Sequence, residues 1–220
     1  MGNITYILFI CMAVPIGLSL FLLETKERQV VLYILLGICC CLFVSEVNGL
    51  ILNALDGDIF RVTTILTPIT EEITKAIPIF FFVFMVTADR QRLLSVSLAA
   101  GLGFAILENL IILTGDIENV TVLWALGRGF ASSLMHSLCT AMVGFGLSFV
   151  HLRRKLFVPG TFSLLLLAIT FHAVFNCLVQ SEYPFLGLLL PIITYIPIVF
   201  IGLRLNEKAK QKKEKDAAAS

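Results

Sequence analysis

A chain of 220 residues that is 58% hydrophobic and 14% charged, with apolar runs long enough to cross a bilayer, is a polytopic membrane protein with no soluble domain of useful size. A net charge of +1 gives a nucleic acid nothing to bind; its basic residues matter through where they sit. All six cysteines (Cys11, Cys39, Cys40, Cys41, Cys139, Cys177) fall in apolar stretches without a Cys-x-x-Cys pair, which argues against a disulfide framework and against a thiolate zinc site.

The first apolar span covers residues 4–23, with no basic residue before it and no small-residue cleavage signal after it, so it is expected to be retained. A charged loop over 24–29 leads into a second span from 30 to about 44. That span ends at Ser45-Glu46-Val47-Asn48-Gly49, which places Glu46 at the interface, and Asp56-Gly57-Asp58 is a turn signal. The third span starts near Thr63, or at Pro68 with Thr67 as N-cap, and reaches Val86; Pro78 is expected to kink it. After Asp89-Arg90-Gln91-Arg92 a fourth span covers 93–113, where Gly101 and Gly103 permit close helix approach. Residues 120–150 exceed one upright span, and Gly127-Arg128-Gly129 predicts a break or strong tilt near its start. A basic loop at 153–155 precedes the sixth span at 156–179, the seventh covers 185–203, and 204–220 is a lysine-rich tail with nothing to bury.

Seven spans put thirteen of the 16 Lys and Arg residues in the loops after spans one, three, five and seven, against Arg61 alone on the other side. The positive-inside rule then sets the N-terminus outside and the C-terminus in the cytoplasm. The expected architecture is an all-α bundle of about seven transmembrane helices over residues 1–203, with 204–220 a basic cytoplasmic tail.

The chemistry concentrates in Glu71-Glu72-Ile73-Thr74-Lys75, two carboxylates and an ammonium inside an apolar segment. Ionised groups at that depth cost at least about 2.5–3.5 kcal/mol on insertion scales and mark function. On a helix Lys75 reaches Glu71 at i,i+4 and Glu72 at i,i+3, and local spacing does not choose between them. The span directions place Glu71 and Glu72 about nine residues in from the outer end, Glu108 about five and His172 about eight, with His136 deeper. Four helices therefore carry acid, imidazole or amide groups to similar depth.

Known intramembrane chemistries can be tested against that inventory. All five aspartates lie in loops or the tail, which excludes an aspartyl protease, and no His-Glu-x-x-His occurs. Gly17-Leu18-Ser19 and Gly146-Leu147-Ser148 fit a serine nucleophile in sequence, but neither serine lies at the depth of a base, so both read as packing hydroxyls. Chains of Glu and His also build proton relays, which leaves a proton-coupled transporter or channel, or a non-catalytic scaffold, as rivals.

Glu71-Glu72-x-x-Lys75, Phe104-x-x-x-Glu108-Asn109, His136 and His172-x-x-x-Asn176 resemble the ordered motifs of the PrsW family of membrane proteases, in the superfamily of the type II CAAX prenyl endopeptidases. The resemblance covers spans three to six. Thr140 stands where an acidic residue is expected one turn after the first histidine, and the prenyl endopeptidases carry histidine where Glu108 stands. The resemblance implies an endopeptidase of the bacterial plasma membrane that makes the first cut in a single-pass membrane protein, an anti-sigma factor, near its extracytoplasmic side in regulated proteolysis. Glu71 or Glu72 would be the general base, with Lys75 holding the other acid and Asn109 supporting, while His172 and Asn176 would donate to the oxyanion. Glu108, His136 and His172 have the ligand types of a three-residue zinc site, so metal-free and zinc-dependent catalysis both stand as expectations.

Overall fold

The computed structural model describes residues 3–152 and 154–197, and all regular structure among them is helical. The lysine-rich tail and the end of the expected seventh span lie outside these residues. Seven helices follow in order: α1 (Asn3–Ser19), α2 (Thr25–Ala54), α3 (Thr67–Met85), α4 (Arg90–Gly115), α5 (Val122–Leu147), α6 (Arg154–Val179) and α7 (Pro184–Pro197). By length and composition α2, α4, α5 and α6 can each cross a membrane. Large apolar side chains such as Phe43, Phe81, Phe130 and Phe162 face outward, while Glu72, Lys75, His136 and His172 are buried. That inverted distribution is what a lipid solvent selects.

Helix α4 is the hub, packed along its length between α2 and α5, with α6 against the far side of α5. Helix α3 is inserted among α2, α4, α5 and α6, so its charges meet protein on all sides. Glycines set these approaches. Gly37 of α2 lies against the backbone of Ala100 and Gly103 of α4 against that of Ile34, a reciprocal contact that brings the two helices to backbone distance. A Cβ at Gly101 would come within 2.5 Å of the His136 carbonyl oxygen and 2.6 Å of the Ser137 Cα, so this glycine seats the α5 turn that carries His136.

Two expectations change here, and one choice is made. Helix α2 runs on to Ala54 instead of ending near Val44, and Glu46, within it, accepts a hydrogen bond from Tyr6 at 2.7 Å. Helix α5 passes through Gly127-Arg128-Gly129 without a break, because Gly127 serves packing: a Cβ there would sit 3.2 Å from Leu188 of α7. Of the two starts expected for the third span, the structure supports the earlier one, near Thr63, because helix α3 does not start afresh at Thr67. A short turn, Ile59–Arg61, and a π-helical turn, Val62–Leu66, run directly into it.

The two prolines of α3 each leave a carbonyl without its helical donor, and a neighbouring helix approaches both. In the π register Thr67 N–H donates to Val62 O, so the next donor would be residue 68, which as proline has none; Asn176 Nδ2 donates to the freed Thr63 carbonyl at 2.9 Å. Pro78 similarly frees the Thr74 carbonyl, and the Cys40 thiol lies 3.8 Å from it while Tyr33 donates to the Pro78 carbonyl at 3.0 Å.

Candidate active site

One turn of α3 presents Glu71, Glu72 and Lys75 to the interior. Lys75 Nζ pairs with Glu72 Oε1 at 2.7 Å, and this contact makes the choice that helical spacing left open. Glu72 Oε1 also lies 2.8 Å from His172 Nδ1 of α6. Lys75 Nζ reaches His136 Nδ1 of α5 at 2.8 Å and stands 4.6 Å over the Phe104 ring of α4. The far nitrogen of His136, Nε2, meets Glu108 Oε2 at 3.0 Å, and Ser132 Oγ, one turn before His136 on α5, donates to the same oxygen at 3.2 Å. The two imidazoles pack edge to face with centroids 4.9 Å apart.

Both histidine tautomers follow from these partners. A carboxylate only accepts, so His172 donates from Nδ1 to Glu72 and His136 donates from Nε2 to Glu108. Each ring therefore turns its other nitrogen, a lone pair, inward. Between these lone pairs sits Glu71 Oε2, 3.7 Å from His172 Nε2 and 3.9 Å from His136 Nδ1. Glu71 Oε2 and His172 Nε2 are buried with no hydrogen-bond partner among the described residues. These two unpaired acceptors are costly at this depth, and with the His136 Nδ1 lone pair, which Lys75 Nζ approaches at 2.8 Å, they call for a cation or a proton donor between them.

Residues 25–202 match the model of the PrsW family of intramembrane metalloproteases. The chain belongs to the PrsW family. No curated protein and no solved structure matches it significantly. As a PrsW protein it is a membrane protease, working on membrane-embedded substrate in a lipid environment.

The PrsW assignment implies a metal, and the donor set fits one. Glu71, His136 and His172 each offer a ligand atom within 4.8 Å of the others. A tetrahedral ion with bonds of about 2.0–2.2 Å holds its ligands roughly 3.3–3.6 Å apart, so a small inward movement closes this group around it. Each histidine donates its outer N–H to a carboxylate, the arrangement that orients metal-binding imidazoles. The buried carboxylates of Glu71 and Glu72 and the partly buried one of Glu108 also face, among the described residues, two cations, Lys75 and Arg128, an excess of negative charge that a divalent ion would offset. Lys75 Nζ is the competitor, since it takes the inward lone pair of His136.

The grouping differs from the one expected in the carboxylate. Glu108 stands on the outer nitrogen of His136, supplying the acidic partner that Thr140 cannot; the Thr140 hydroxyl instead donates to the His136 carbonyl. Asn176 is at the site's edge, but its amide is given to Thr63. Asn109 is buried beside Glu108 in sequence, with its Oδ1 unpartnered among the described residues, and its side chain makes no hydrogen bond to the Glu-His-His group. Ser19 and Ser148 donate to carbonyls of their own chain segments, Ile16 and Phe145, as packing hydroxyls do.

Arg128 was not among the expected site residues. Its Nη2 lies 3.8 Å from Glu108 Oε2, and it helps to line a cavity of about 290 Å³ with Thr63, Thr67, Glu108, Asn176 and Gln180. A signal existed: Arg128, Ser132, His136 and Thr140 recur every four residues, a polar stripe along an otherwise apolar helix.

Proposed function

We propose that the chain is an endopeptidase that cuts a single-pass membrane protein near its extracytoplasmic side, with Glu71 as the reacting carboxylate. The observation that carries this is the position of Glu71 Oε2: of the three acids it alone is committed to neither an N–H nor a close cation, and it faces the lone pairs of both histidines. Glu72 is the brace, holding Lys75 and the His172 tautomer. Glu108 does the same for His136. Glu71, His136 and His172 would hold the metal, and a bound zinc ion supplies Lewis acidity that acidifies water and polarises a carbonyl. The other oxygen of Glu71 takes the proton of the attacking water and returns it to the leaving amine. Asn176 acts by fixing the π turn against α6, in place of the oxyanion role suggested by its spacing to His172.

In this reading residues 1–203 form a seven-span bundle with the N-terminus outside, and 204–220 are a basic cytoplasmic tail. The cluster lies toward the end where α3 begins, α4 ends, α5 begins and α6 ends, which is the side poor in basic residues. A cut at that level releases an extracytoplasmic domain, as in the first step of regulated proteolysis; an anti-sigma factor of a bacterial plasma membrane is the substrate class to try first.

The test is cleavage of a co-reconstituted single-pass substrate by purified protein. Glu71→Ala is expected to abolish it, and chelation is expected to abolish it until zinc is restored. Undiminished cleavage by the Glu71→Ala/Glu72→Ala double variant would refute the protease reading. Activity that survives chelation with sub-stoichiometric zinc would refute the metal alone.

A further inference from the structure

We propose that Arg128 and the cavity it lines form a recognition subsite for an acidic side chain of the substrate, next to the bond that is cut. The inference rests on the protease reading of the Glu71 cluster. Arg128 is 8% exposed, its Nε is buried, and among the described residues it makes no hydrogen bond. A guanidinium offers five donors in a fixed fork that matches a carboxylate, and leaving them unused in a membrane protein is expensive unless a ligand fills them.

The ion pair with Glu108 balances charge but leaves the donors of Arg128 unused. At 3.8 Å the contact is too long for a hydrogen bond, and the same Glu108 oxygen already accepts from His136 and Ser132 at 3.0 and 3.2 Å. Arg128 is thus a cation held near the centre with its fork free.

The cavity is in the right place and of the right size. Glu108 is its shared wall with the catalytic cluster, while Thr63 and Gln180, joined at 3.0 Å, belong to the end from which α3 begins. A chain entering from that end passes Arg128 before it reaches Glu71. At about 290 Å³ the cavity falls just below the range of whole-ligand pockets and suits one side chain with its flanking backbone. Inside it Asn176 Nδ2 is committed to Thr63, which leaves Arg128 as the charged donor for an incoming group.

The experiment uses full-length protein carrying Glu71→Gln, so that binding is read without cutting. It is titrated in uncharged detergent micelles with fluorescent peptides: a leucine-rich span ending in a short extracytoplasmic segment that carries glutamate, glutamine or lysine. The glutamate peptide is expected to bind about tenfold tighter or more than the glutamine peptide, as hydrogen bonds to a charged partner allow. Adding Arg128→Gln should erase that difference, Arg128→Lys should keep most of it, and Arg128→Glu should shift preference to the lysine peptide. Equal binding of the glutamate and glutamine peptides, or binding of neither, overturns the subsite. Competitive displacement of the glutamate peptide by added phosphatidylglycerol would assign the cavity to a lipid headgroup and overturn it as well. With Glu71 intact, peptides bound in the expected order but left uncut would refute the protease reading and spare the subsite. Cutting without preference would do the reverse.

Discussion

Glu71 and Glu72 are neighbours of identical chemistry, and the proposed mechanism gives them opposite roles, so replacing each with glutamine is expected to separate stability from activity. Glu72 Oε1 faces the Lys75 ammonium at 2.7 Å and the His172 ring at 2.8 Å, and Glu72 and Lys75 are 0% and 1% exposed. Removing one partner of a buried ion pair leaves the other uncompensated and costs about 3–5 kcal/mol. For a domain of this size each kcal/mol moves the midpoint by about 2–4 °C, so Glu72→Gln is expected to lower Tm by about 6–20 °C. Glu71 makes no hydrogen bond through Oε2, and in metal-free protein Glu71→Gln removes a negative charge from a site with an excess of them; with both variants compared in chelator, its Tm should stay within a few degrees, while cleavage by the zinc-loaded variant is lost. Removing both members of the ion pair in Glu72→Gln/Lys75→Met should recover much of the loss, a coupling that a double-mutant cycle measures. A thiol-reactive fluorophore suits the assay once Cys11, Cys39, Cys40 and Cys177 are replaced with serine or alanine, because Cys41 and Cys139 are buried in the fold and become reactive as it opens. Equal Tm losses for the two single variants, or the larger loss at Glu71, would refute the assignment of brace and reacting group.

Gly101→Ala places a Cβ against the His136 carbonyl and Ser137 Cα, backbone that cannot turn aside, and is expected to cost about 1–3 kcal/mol together with most of the activity; Tm and cleavage measured together check it. Asn176→Ala should cost about 1 kcal/mol by leaving the Thr63 carbonyl unpaired, and that loss should shrink in a Pro68→Ala background, where residue 68 regains an N–H; an undiminished loss would return Asn176 to a direct role in catalysis. Single cysteines in a cysteine-free background test orientation: positions 118 and 182 should react with an impermeant outside reagent, while 155 and 212 stay protected. Labelling at 212 from outside would overturn the seven-span arrangement.

Helical class, the order of the apolar segments and the level at which the polar groups meet are written locally, in runs of hydropathy and in a rise of 1.5 Å per residue, and for that reason they are legible in the sequence. So is the family, whose motifs keep their order along the chain. What the sequence could not decide is how each helix is rotated and how deep it slides against its neighbours. Lys75 can reach either acid by spacing, and His172, one hundred residues away, contributes to selecting Glu72 and so leaves Glu71 free. The partner of His136 comes from Glu108 on another helix, not from one turn along its own, and the α4–α5 approach that brings it there depends on Gly101. Asn176 reads as an oxyanion donor next to His172, and only the structure shows its Nδ2 on the Thr63 carbonyl that Pro68, on a different helix, leaves free. Gly127-Arg128-Gly129 reads as a break or a strong tilt, yet α7 packs against Gly127 and the helix continues unbroken, carrying Arg128 into the cavity. Hydrogen-bond partners across helices are chosen by close packing over long sequence separations, and only the assembled bundle contains that information.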